Sequence, residues 1–175
     1  MIDELLQCYD ASGNPTETHP RSEVKTQPPR WWYAVVRVFI VNSKNEVLCS
    51  KRSNNVSANP DKWQFYFGGH VGAGELFTDV AGRELEEEAG LRVNTEDVVE
   101  ISTGKKIDRL VQYTNYMVRF DGDMSDIHFS DNEVAEVRWF TISELMNDFL
   151  VHSDQWSTAC TVDDLESLSL KLTTL

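Results

Sequence analysis

Residues Gly69 to Leu91, G-H-V-G-A-G-E-L-F-T-D-V-A-G-R-E-L-E-E-E-A-G-L, join a glycine-rich loop to a helix with oddly placed charge. From Phe77 onward, 3.6 residues per turn brings Glu84, Glu87 and Glu88 within about a third of the circumference. Ala81, Leu85 and Ala89 form a neighbouring apolar stripe, while Asp79 and Glu86 face away. Gly90 follows where a left-handed cap would end the helix. The three carboxylates thus crowd the last two turns, at the negative end of the helix dipole. Such crowding costs each of them about 0.3–1 kcal/mol from like-charge and dipole effects, so replacing any one by Gln should stabilise the metal-free protein. A hard divalent cation takes oxygen ligands and relieves the repulsion, which points to a magnesium or manganese site.

Gly69, Glu75, Arg83, Glu84, Leu85, Glu87, Glu88, Gly90 and Leu91 fill, without a gap, every specified position of the signature G-x5-E-x7-R-E-U-x-E-E-x-G-U, where U is aliphatic. The stretch therefore resembles the signature of the Nudix hydrolases, and the likeness extends through flanking strands from about Trp31 to Leu150. The resemblance implies an α/β fold, the Nudix-type α/β/α sandwich with a mixed β-sheet. It implies Mg²⁺ or Mn²⁺ held by Glu84, Glu87, Glu88 and the carbonyl of Gly69. Arg83 then holds a carboxylate in place, and Glu75, at the positive end of the dipole, has a supporting role.

At 175 residues the chain has the length of one domain with a single good core, and 41% hydrophobic with 26% charged residues is ordinary for one. A net charge of -13 argues against nucleic acid and anionic membranes as partners, since both demand basic surface. A polyanionic small substrate must then be met by local Lys and Arg, or through metal. Cys8, Cys49 and Cys160 are widely spaced and read as reduced, buried thiols rather than zinc ligands. No signal peptide or membrane span is evident, and the expected location is the cytoplasm.

The chain divides into an N-terminal extension over residues 1–30 (Leu5 to Tyr9 and Thr16 to Lys25 as a hairpin), a main domain over 31–152, and a C-terminal helical extension over 153–175. Trp31 to Val41 reads as a strand buried on both faces. Strands follow at Glu46 to Arg52, Lys62 to Phe67, Val98 to Thr103, Arg109 to Phe120 and Val134 to Phe140, with a turn at Gly104 to Lys106. Thr141-Ile-Ser-Glu144 fits a capping box opening a helix through Leu150. Thr161 to Asp164 starts another, with Leu165, Leu168 and Leu172 on one face.

Outside the signature, Glu133 and Glu136 are candidates for a further metal ligand or general base. Glu133 is preferred, because it lies in a loop while Glu136 alternates along a strand towards solvent. Lys51 and Arg52 could bind phosphates, or simply close a charged strand end. Trp63 could stack a base, with core packing of Trp63, Phe65 and Tyr66 as the competing reading. His70 reads as a hydrogen-bonded loop residue.

These residues suit a metal-dependent pyrophosphohydrolase cleaving a phosphoanhydride in a nucleoside diphosphate linked to another moiety. The expected partner is a small-molecule diphosphate, most simply a nucleotide, and a homodimer is open. Two alternatives stand beside it. The segments W-Q-F-Y-F-G-G-H and Y-D-A-S-G-N-P-T-E also resemble the isopentenyl diphosphate isomerase branch of the superfamily. That branch uses a cysteine directly before the Gly-His pair; here Gly68 stands there, and the nearest upstream cysteine is Cys49. A non-catalytic nucleotide-binding module is the second, although such domains tend to lose signature glutamates and this chain retains them all.

Overall fold

A turn at Asn42 to Asn45, closed by the Asn45 amide on the Asn42 carbonyl, and the left-handed Gly90 separate elements along the chain. A computed structural model of the chain describes residues 3–56, 58–129 and 133–174. Its strands are β1 (Leu5–Tyr9), β2 (Pro15–Pro20), β3 (Trp32–Val41), β4 (Glu46–Arg52), β5 (Trp63–Gln64), β6 (Val99–Lys106), β7 (Val111–Arg119) and β8 (Val134–Thr141). The helices are α1 (Arg21–Val24), α2 (Phe77–Ala89), α3 (Ile142–Val151) and α4 (Val162–Thr174).

All eight strands belong to one mixed sheet. β3 lies along β7 in parallel over its whole length, from Tyr33 against Val111 to Val41 against Arg119. Its other edge is shared. β1 pairs antiparallel at its start, through Cys8 and Tyr33, and β4 at its end, through Val41 and Val47. Between them the connection from β5 to α2 runs alongside β3, with Phe67 bridging Val38 and His70 bridging Val35. The glycine-rich loop is therefore part of the sheet rather than a flap over it.

Side chains alternate across β3, as a strand buried on both faces requires. Ala34, Val36, Val38 and Ile40 pack with Val80, Ala81, Leu85 and Ala89 of α2. Phe39 and Val41 pack on the opposite side with Leu145 of α3 and Leu165 and Leu168 of α4. The result is the α/β/α sandwich. α3 begins with the expected capping box, Thr141 and Glu144 each bonding the other's backbone amide.

Asp164 anchors α4 in a different way. Its carboxylate accepts from the Thr161 hydroxyl at 2.7 Å, from Asn115 at 2.9 Å and from Arg37 Nη1 at 3.1 Å. Arg37 and Asp164 are both buried, and the guanidinium lies against the rings of Tyr66 and Tyr113 at 5.0 and 4.3 Å. A buried charge demands such partners.

Some boundaries differ from the sequence reading. The second N-terminal strand stops at Pro20, which has no amide for a ladder, and residues 21–24 turn into α1 instead. The strand expected over residues 62–67 keeps only Trp63 and Gln64 in the ladder, because the chain leaves β4 to join β3. The turn expected at Gly104 lies at residues 107–110, where a short 3-10 turn ends in Leu110 with φ of 50°. The hairpin of β1 and β2 joins the main sheet through the pairing of β1 with β3. The loop expected to hold Glu133 falls partly on residues 130–132, outside the described residues.

Candidate active site

α2 ends as its sequence demands. Gly90 adopts φ of 67°, its amide bonds the Glu86 carbonyl and that of Leu91 bonds the Leu85 carbonyl. This fixes the last two turns, and with them the acidic face, against the loop at Gly68 and Gly69.

Arg83 organises that face. Its Nη1 donates to Glu84 Oε1 at 2.8 Å and to Glu87 Oε2 at 3.2 Å, and its Nε donates to Glu75 Oε1 at 3.2 Å. Its Nη2 reaches the His70 carbonyl at 3.4 Å. Glu75 in turn accepts from the Gly72 amide at 2.7 Å. The crowding inferred from the sequence is thus relieved at Glu84 and Glu87 by one guanidinium. Glu88 is different: it makes no ion pair among the described residues, and its Oε2 accepts from the Gly68 amide at 3.0 Å. Burial pushes its carboxyl up to about 8, with Glu84 and Glu133 adding to the rise and the Gly68 amide and Arg52 opposing it. Glu84 is raised as well, chiefly by burial.

Two glycines permit this packing. A Cβ at Gly69 would fall 2.3 Å from Glu84 Oε1, and one at Gly68 would fall 2.1 Å from the Val36 carbonyl oxygen. The Gly69 carbonyl itself accepts from the Val36 amide at 2.9 Å, leaving one lone pair. Among the described residues no three His, Cys, Asp or Glu side chains form a finished metal cage, since Arg83 stands among them. The donor set nonetheless fits a hard cation. It offers three carboxylates and a carbonyl, the Glu84 carboxylate occupies the space that a Cβ on residue 69 would take, and the second Glu88 oxygen accepts no hydrogen bond among the described residues.

These groups form one wall of a cavity of about 860 Å³, a size suited to a small ligand. Arg52 and Glu133 stand on another wall, with Nη2 and Oε2 3.8 Å apart. Arg52 also bonds the Ala58 carbonyl through Nε at 2.9 Å, and the Ser53 amide bonds the Glu133 carbonyl at 2.7 Å. Glu4 and Arg21, paired at 3.0 Å, reach the cavity from the N-terminal segment. Nothing in their sequence pattern marked them; only the fold of the hairpin over β3 brings them there. His70 lines the cavity too. Its ring lies against Tyr33 and its Nε2 is 3.2 Å from Lys25 Nζ, while burial and the cations Lys25, Arg21 and Arg83 drive it down to about 3, so it is neutral.

Lys51 and Trp63 do not line the cavity. They face each other across β4 and β5 and lie on the other side of the sheet. Lys51 pairs with Asp61 at 2.8 Å, and Trp63 packs on Phe140 and Trp156. Glu136 is opposite Lys51 in the β4–β8 ladder and shares its side, away from the cavity. Cys49 is fully buried among the residues under α3 and α4, with its thiol pushed well up by burial.

A mixed sheet between helices thus carries an arginine-braced carboxylate face on the helix after a glycine loop. Residues 32–161 match the NUDIX domain family, and the chain belongs to the Nudix hydrolases. It is 30% identical to an uncharacterised Nudix hydrolase of Nostoc sp. over 145 residues, 82% of this chain and 83% of that protein. An uncharacterised Nudix hydrolase of Pseudomonas aeruginosa is 34% identical over 89 residues, about half of either protein at 51% and 52%. An isopentenyl-diphosphate delta-isomerase of Corynebacterium glutamicum is 31% identical over 92 residues, 53% of this chain and 48% of that protein. In fold, a Deinococcus radiodurans crystal structure superposes with a TM-score of 0.72 at 20% identity, covering 95% of this chain and 98% of that one. Nudix hydrolases generally use divalent metals. No helix among the described residues is long and apolar enough to cross a membrane.

Proposed function

We propose that the chain is a pyrophosphohydrolase dependent on Mg²⁺ or Mn²⁺, cleaving a phosphoanhydride in a nucleoside diphosphate linked to another moiety. The observation that carries the reading is that one cavity is lined both by Glu88 and the Arg83-braced Glu84 and Glu87 and by the Arg52–Glu133 pair. Glu84, Glu87, Glu88 and the Gly69 carbonyl would hold the metal, which supplies charge neutralisation and Lewis acidity to the pyrophosphate.

The protein's own groups supply the rest. Arg52 and Arg21 each leave a single carboxylate partner to meet phosphate oxygens, whereas Arg83 is taken up in holding Glu75, Glu84 and Glu87. In hydrolysis a water oxygen bonds to phosphorus, the bridging P–O bond breaks with its electron pair on the leaving phosphate, and a carboxylate takes the water proton. Glu133, half exposed at the cavity rim, is assigned that proton. An isomerase reading lacks its acid, because position 68 has no room for a side chain and Cys49 is on the far side of the sheet.

The net charge of -13 agrees with small molecules, and not nucleic acid or membranes, as partners. The reading assigns the protein to the cytoplasm; light scattering distinguishes a monomer from a homodimer. The decisive experiment is a panel of phosphoanhydrides with Mg²⁺ or Mn²⁺, scored by phosphate or pyrophosphate release. Turnover that stops with excess EDTA and returns with metal supports the reading. Full turnover in metal-free protein, verified by elemental analysis, overturns it.

A further inference from the structure

Lys25 comes from the N-terminal segment, before the stretch that matches the family, yet its ammonium reaches a side chain of the cavity wall. It follows α1 directly, with its amide on the Arg21 carbonyl at 3.0 Å, and Val24 beside it is fully buried with Leu6, Cys8 and Tyr33. The end of α1 is therefore held to the sheet, and Lys25 with it. From there Lys25 Nζ donates to the Tyr33 hydroxyl at 3.1 Å and lies 3.2 Å from His70 Nε2. The backbone of His70 is fixed as well, by its bridge to Val35 and by Arg83 Nη2 on its carbonyl. Its ring rests against Tyr33, with centroids 5.6 Å apart.

An ammonium carries three donors and no acceptor, so Nε2 accepts and the ring proton resides on Nδ1. A neutral imidazole can carry its proton on either nitrogen; Lys25 settles that choice from outside the signature. Donation into Nε2 also polarises the ring and strengthens Nδ1–H as a donor. His70 lines the cavity together with Arg83 and Glu84, and its Nδ1 has no hydrogen-bond partner among the described residues. We infer that Lys25 is a positioning residue that sets His70 in its Nδ1–H tautomer, and that His70 donates this hydrogen bond to a diphosphate oxygen of the ligand. The inference rests on the pyrophosphohydrolase reading for the nature of the ligand. It goes beyond that reading by drawing the N-terminal segment into the workings of the site.

Imidazole ¹⁵N NMR reads the tautomer, and calorimetry with methylenediphosphonate in Mg²⁺, a probe that cannot be hydrolysed, reads the contact. The wild type should show a protonated Nδ1 and a bare Nε2 in the resonances that His70→Phe deletes. Lys25 is exposed, so folding is not at stake in its variants. Lys25→Met should mix the tautomers and weaken methylenediphosphonate binding severalfold, and Lys25→Arg should restore both. His70→Phe should weaken binding about tenfold, the worth of one hydrogen bond to a charged group. In turnover, Lys25→Met should raise KM with kcat little changed, because ground state and transition state share the contact. A lysine that merely anchors α1 would lower the melting temperature on removal and leave tautomer and affinity as in the wild type. That outcome overturns the inference, as does a protonated Nε2 in the wild type or full-strength binding by His70→Phe. The two readings fail separately. The expected tautomer and binding losses, with no cleavage of any phosphoanhydride, sink the hydrolase and spare the role of His70. Metal-dependent cleavage with KM unchanged in both Lys25→Met and His70→Phe does the reverse.

Discussion

Arg83 Nη1 donates to both Glu84, at 2.8 Å, and Glu87, at 3.2 Å, so a single nitrogen bridges two carboxylates about one turn apart. Glu84 is buried and would have no cation in its place if the guanidinium were lost. Arg83→Gln should lower the metal-free melting temperature by several degrees. Arg83→Lys should recover part of that loss, because an ammonium cannot serve Glu75, Glu84 and Glu87 from a planar fork. Melts in EDTA decide it; an unchanged melting temperature in Arg83→Gln would mean the bracing is idle.

The crowding argument now singles out Glu88, the one member of the cluster without Arg83. With its carboxyl pushed up to about 8 by burial, the metal-free folded protein holds a proton that the unfolded chain releases near 4.5. Between those values the folded state binds more protons, so stability should fall as pH rises from about 4.5 to about 8. Glu88→Gln should flatten that slope and melt higher than wild type at pH 8 in EDTA. Excess Mg²⁺ should reverse the order, since only the wild type gains the full binding free energy. Parallel slopes for the two proteins would contradict this account.

Of the carboxylates outside the signature, Glu133 lines the cavity and Glu136 lies across the sheet. Glu133→Gln should lose about 10²–10⁴ in kcat, the usual cost of removing a general base, with little change for Glu136→Gln. Steady-state kinetics at saturating metal compares them, and a larger loss at Glu136 would reverse the assignment.

No conversion of isopentenyl diphosphate to its dimethylallyl isomer is expected, and Gly68→Cys should not create it. A Cβ at residue 68 would meet the Val36 carbonyl at 2.1 Å, so the variant should lose stability rather than gain chemistry. Product analysis by chromatography reads the first claim and thermal melts the second.

How far the sequence reveals the site is a matter of parity along β4 and β5. The acidic face of α2 is legible because helical spacing and the Gly90 cap fix which side chains converge. Cavity residues on strands are harder to read. Lys51 and Arg52 look equivalent as neighbours, as do Trp63 and Gln64, yet a one-residue step sends each pair to opposite faces. Trp63, Lys51 and Arg52 all draw attention by type, but only Arg52 and the inconspicuous Gln64 have the right register. Arg21 and Glu4 are harder still, since only the β1–β3 pairing brings residues so distant in sequence to the cavity. The shortening of β5 comes from the pull of β3, a tertiary preference that local composition does not carry.

The buried pair of Arg37 and Asp164 bears on how short a working version of this protein could be. The stretch that matches the family ends at residue 161, three positions before Asp164. A chain cut there keeps every signature glutamate but strands Arg37 and Asn115 in the interior without the carboxylate they share. Breaking a buried pair from one side costs about 3–5 kcal/mol, and small domains have only about 5–15 kcal/mol in hand. The last helix is therefore a counter-charge delivered from the far end of the chain, and truncation at residue 161 should cost stability on that scale.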